Sequence, residues 1–90
     1  MTFYKIIYLY KEGCLQCDYI TRLIENNGSI GKKDVFKLNI MSDEGCAFRT
    51  KYNIERVPYI IIFDKSDNYI GGAVINTKDD LSNIISNYIF

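Results

Sequence analysis

The ninety residues contain no histidine, which removes Ser-His and Cys-His catalysis from consideration. Tryptophan is absent too, and Pro58 is the one proline. Neither sign of charge dominates, with Lys plus Arg and Asp plus Glu at eleven each. Lys5, Lys11 and Lys32 are scattered, so no basic field for nucleic acid or anionic lipid is expected. The apolar run from Phe3 to Tyr10 is broken by Lys5 and falls far short of a membrane span. It also lacks a basic leader and a small-residue cleavage site, so neither a membrane anchor nor a signal peptide is expected. Three cysteines, an odd count, argue against a fully paired secreted framework, and a reducing, cytoplasmic setting is the expectation.

What remains is ordinary globular composition, 48% hydrophobic, with no repeat, linker or low-complexity tract. A single domain spanning 1–90 is predicted. "FYKIIYLY" reads as a strand buried on both faces. From Leu15, Tyr19, Ile20, Leu23 and Ile24 fall at helical spacing, and "NNGS" with Gly28 ends that helix. "DVFKLNI" turns Phe36, Leu38 and Ile40 to one side as a second strand. Ser42 or Asp43 caps a second helix carrying Cys46, Ala47, Phe48 and Tyr52. "PYIIIF" and "YIGGAVI" form a hairpin across the polar turn "DKSDN". Leu81, Ile84, Ile85, Tyr88 and Ile89 make the stripe of a last helix, with Thr77 as cap and Asp80 as its third-position acceptor. The order is β-α-β-α-β-β-α, an α/β arrangement of right-handed crossovers around a covered sheet.

This order sets "YLYKEGCLQCDYI" at the carboxyl end of the first strand, the edge where sites usually lie in open α/β sheets. Cys14 then occupies a helix cap, facing unpaired backbone N–H groups and the positive end of the helix dipole, and both favour its thiolate. Cys17 lies one turn further in and less exposed. Cys14 is therefore expected to attack a disulfide and Cys17 to resolve the mixed disulfide, with Lys11 adding positive charge nearby. A zinc site is the rival reading of the pair, but Cys46 is the sole further sulfur and no histidine completes four ligands.

Two stretches carry a resemblance to small redoxins of the thioredoxin superfamily. "YKEGCLQC" is similar to the glutaredoxin pattern of a lysine three residues before Cys-x-x-Cys. "KYNIERVPYIIIFDKSDNYIGG" resembles the thioredoxin and glutaredoxin segment in which Val-Pro opens a strand and hairpin. The resemblance implies the thioredoxin fold, a central four-stranded mixed sheet flanked by three helices. It implies a cis Pro58 against the active-site pair, with the Val57 backbone pairing to an extended substrate. Lys11 and Gly71-Gly72 look glutaredoxin-like, and Arg56 is a candidate for a substrate carboxylate. Glutaredoxins also place an acidic residue soon after Gly-Gly to hold glutathione, whereas Asp79 and Asp80 come later in this chain. "CLQC" is close to the "CVQC" of redoxins that serve ribonucleotide reductase and are recharged by thioredoxin reductase. Tyr8 stands where thioredoxins keep a buried aspartate, and Gly13 where they keep a tryptophan.

The reading that follows is a monomeric thiol–disulfide oxidoreductase without bound cofactor. Its substrates would be protein disulfides or glutathione mixed disulfides, and its electrons would come from glutathione or thioredoxin reductase. The alternative is a metal-binding module, in which two glutaredoxin-type subunits share an iron–sulfur cluster. Several residues admit two readings each. Cys46 reads as a small buried helix residue or as a regulatory thiol. Gly71 and Gly72 admit a ligand or a strand bulge, and Tyr10 lines the site or joins the core. Tyr59, following Pro58, would narrow the substrate groove or make it more apolar.

Overall fold

The computed structural model describes residues 5–26 and 34–88. Seven elements follow the expected order: β1 (Lys5–Tyr10), α1 (Leu15–Glu25), β2 (Asp34–Asn39), α2 (Asp43–Lys51), β3 (Tyr59–Phe63), β4 (Tyr69–Val74) and α3 (Lys78–Tyr88). The strands form one sheet in the order β2-β1-β3-β4. β1 and β2 run parallel, while β3 is antiparallel to both β1 and β4.

β1 and β3 are central, so their continuous apolar runs bury both faces. Ile6, Tyr8, Ile60 and Ile62 point to one face and meet Ile20 and Ile24 of α1 and Leu81 and Ile84 of α3. Ile7, Leu9, Ile61 and Phe63 point to the other, under Phe48 and Tyr52 of α2. Phe48, Tyr52, Phe63 and Tyr69 interlock there through edge-on and stacked ring contacts 5.5–6.5 Å apart.

Local chemistry fixes the ends of the elements. Ser42 caps α2, its hydroxyl accepting the Gly45 N–H at 3.0 Å. A Cβ at Gly45 would run into the Asn39 carbonyl, so glycine lets α2 sit down on the end of β2. Thr77 and Asp80 form a reciprocal capping pair at α3: Asp80 N–H donates to Thr77 Oγ1, and Asp80 Oδ2 accepts from Thr77 N–H and Asn76 N–H. Asp64 Oδ1 accepts the N–H groups of Ser66 and Asn68 and closes the hairpin turn.

Three expectations need correction. Phe36 lies on the same side of β2 as Leu38, yet it is 50% exposed on this edge strand. Tyr19 lies off the buried stripe of α1, which consists of Cys17, Ile20 and Ile24. Cys46 is exposed rather than buried, its thiol donating to the Ile40 carbonyl at 3.3 Å. The helix stop at Gly28, the strand start at Phe3 and the final Ile89 lie outside the described residues, as does the Tyr88 side chain. No described helix is long and apolar enough to cross a membrane.

Candidate redox site

The parallel and antiparallel registers bring three chain segments to one end of the sheet. β1 ends at Tyr10, whose carbonyl accepts the Ile40 N–H at 2.9 Å as the chain leaves β2. Leu9 pairs with Tyr59, so Pro58 opens β3 beside the same edge. The Pro58 carbonyl accepts the Ile75 N–H at 2.9 Å, adding the end of β4. The Val57–Pro58 peptide is cis, and Pro58 is buried.

Between β1 and α1 the backbone turns through Gly13, whose φ of 76° suits a residue without Cβ. The turn delivers Cys14 as the cap of α1, with extended φ and ψ of −103° and 110°. Its sulfur accepts the Cys17 N–H at 3.1 Å, filling the role that a serine or aspartate oxygen plays at other helix starts. That N–H and the positive end of the α1 dipole face the Cys14 sulfur. Cys17 is only 1% exposed. Burial first, then its hydrogen bond with Cys14, push the Cys17 thiol from its ordinary 9.0 up to about 11. The two free thiols are thus unequal: one half-buried at the helix mouth, the other enclosed and held protonated. Leu15, between them, is 86% exposed, so an apolar side chain stands in solvent next to Cys14. The Gln16 carboxamide donates to the Asn76 carbonyl and ties the start of α1 to the loop before α3.

A cleft of about 300 Å³ that includes Lys11, just after β1, is lined also by Arg49, Arg56 and Glu55 and by the apolar Ile40, Met41, Ile54 and Val57; neither cysteine lines it. Three cations against one carboxylate give it a net positive lining. Of the residues singled out in the sequence, Lys11, Arg56 and Val57 line this cleft, Pro58 opens β3, and Cys14 and Cys17 stand at the start of α1. Gly71 and Gly72 do not line the cleft. They pair with Ile62 and Ile61 in mid-sheet, four and three residues short of Ile75, the residue that contacts Pro58. Their place fits the bulge reading, since the β3–β4 register slips next to Gly71 and a Cβ on Gly72 would lie 2.8 Å from the Ile60 carbonyl. Tyr59 packs with the α2-side core, and Tyr10 stacks on Tyr8, so neither ring lines the cleft.

Sequence reasoning missed Arg49 and Met41. No motif marks them, because they reach the cleft only through the seating of α2 on β2. Among the described residues no three Cys, Asp or Glu side chains converge as a metal-holding cluster.

No protein-family model matches this sequence, and no curated protein is similar enough to match. Solved structures do. Thioredoxin from Fasciola hepatica superposes with a TM-score of 0.78 at 15% identity, over 96% of this chain and 81% of that one. Oxidised thioredoxin from Plasmodium falciparum gives 0.77 at 19% identity, over 97% and 82%. Thioredoxin O2 from Arabidopsis thaliana in its oxidized state gives 0.77 at 16% identity, over 98% and 76%. Strand order, crossovers and these superpositions agree: the chain has the thioredoxin fold, with Cys14 and Cys17 at the start of its first helix.

Proposed function

We propose that the protein is a glutaredoxin-like thiol–disulfide oxidoreductase. The observation that carries this reading is the inequality of the pair, with Cys14 capping α1 through its sulfur and Cys17 enclosed one turn behind. Cys14 thiolate attacks a substrate disulfide, forming the Cys14–substrate bond and releasing one substrate thiolate. Cys17 then bonds to Cys14, the Cys14–substrate bond breaks, and the second substrate sulfur leaves with a proton. Two thiols have been oxidised to a disulfide, and one disulfide reduced to two thiols.

The cationic lining of Lys11, Arg49 and Arg56 supports glutathione, a dicarboxylate thiol, as the co-substrate. The Val57 backbone beside the cleft supports extended pairing with it or with a peptide disulfide, such as that of ribonucleotide reductase. A reducing, cytoplasmic setting is part of the same reading. The test is reduction of a glutathionylated peptide by the wild type and Cys14→Ser, recharged either by glutathione with its reductase or by thioredoxin reductase. Turnover with glutathione that is lost in Cys14→Ser upholds the proposal. Turnover with thioredoxin reductase alone removes the glutaredoxin assignment and keeps the oxidoreductase.

A further inference from the structure

Behind the redox pair lies a hydroxyl that the exchange reaction leaves unused. Tyr8, in the middle of β1, is fully buried. Its phenol donates to the Cys17 carbonyl at 2.9 Å and lies 3.0 Å from Thr21 Oγ1. One side chain from the central strand therefore pins the turn of α1 that carries the resolving thiol. Among the described residues no charged side chain is buried, and the chain has no histidine; Asp18, whose charge acts on both Cys17 and Tyr8, is exposed, so the phenol is the enclosed titratable group beside Cys17. Burial is the main cause that pushes its ionisation from 10.0 up to about 12, with the Thr21 bond opposing and Cys17 adding to the rise. It stays neutral wherever the protein works.

We propose that Tyr8 is the positioning residue of the resolving thiol: its neutral phenol fixes the Cys17 peptide beneath Cys14, and no group on the buried side removes the Cys17 proton. The proposal rests on the assignment of Cys14 as attacker and Cys17 as resolver. In the resolving step the Cys17 proton passes outward, to the departing substrate sulfur or to water. When the departing thiolate is too weak a base to take that proton, the step follows the ionisation of Cys17 itself.

A chromogenic aromatic disulfide, bis-nitrothiobenzoate, mixed at equimolar ratio with reduced Cys46→Ser protein, which lacks the exposed third thiol, separates the two events. The first coloured thiolate released reports attack by Cys14, and the second reports resolution by Cys17. Tyr8→Phe is expected to leave the first release unchanged and to slow the second about tenfold, the loss of one buried hydrogen bond in the resolving geometry. An unchanged second release, or both releases slowed in proportion, would overturn the proposal. The Cys46→Ser parent with Tyr8 intact supplies a test that does not depend on the Tyr8 variant. Its second release is expected to rise with pH from about 6 to about 9. A plateau inside that range would reveal a buried base and sink the idea. Absence of any first release would instead remove the assignment of Cys14 as attacker.

Discussion

The backbone N–H of Cys17 donates to the sulfur of Cys14 across 3.1 Å. After burial, the neighbouring Cys14 side chain is the next cause that keeps the Cys17 thiol protonated. Alkylation with iodoacetamide near neutral pH should therefore label Cys14 and exposed Cys46 while sparing Cys17. In Cys14→Ser, Cys17 should remain slow until alkaline pH. Peptide mass spectrometry after timed quenching reads this directly, and equal labelling of Cys14 and Cys17 would contradict it.

The same burial predicts how stability depends on pH. Cys17 is raised from 9.0 to about 11 and Tyr8 from 10.0 to about 12, so the folded state holds both protons more tightly than the unfolded chain. Their contribution is complete below the unfolded values and is lost as pH rises through the folded ones. The melting temperature should fall from about pH 9 upward, and Cys17→Ala should flatten the first part of that fall. Calorimetry of reduced protein across the range is the check.

In the cleft, Arg49→Ala and Arg56→Ala should weaken binding of an anionic thiol substrate by up to about fivefold each, the scale of an exposed charge pair. The effect should appear in KM rather than kcat and shrink with added salt. Steady-state assays with a glutathionylated peptide at two ionic strengths separate these outcomes.

Burial also ranks the sites where truncation hurts. Ile62 is fully enclosed in the central strand β3, and Ile62→Ala should cost about 2–5 kcal/mol in urea unfolding. Thr77→Ala removes the α3 cap and should cost about 1 kcal/mol. If the core change proved the milder of the two, the assignment of β3 as the centre of the sheet would be wrong.

The elements were legible wherever a local rule had no competitor. The unbroken apolar runs of β1 and β3 could belong only to central strands, and Thr77 with Asp80 announced α3. The sulfur pair was legible because its spacing matches one helical turn. What stayed hidden depends on tertiary placement. Phe36 alternates like a core residue, but an edge strand leaves it half covered. Gly71-Gly72 looked like part of the site, and only the β3–β4 register shows that Ile75 takes the place beside Pro58. Tyr8 could be seen to replace an acid. That its hydroxyl grips the carbonyl of Cys17 required the packing of α1 on β1.

Gly45 gives the molecule a hidden point of control over the cleft. It does not line the cleft, yet the absence of its side chain keeps α2 seated against Asn39. Arg49 rides on that helix, and Ile40 and Met41 form the link beneath it, so one wall of the cleft is hung from this single contact. Any larger residue at position 45 would lift the wall as a unit. Such a substitution would leave Cys14 and Cys17 at the start of α1 while reshaping the cationic cleft, so it would separate the two features.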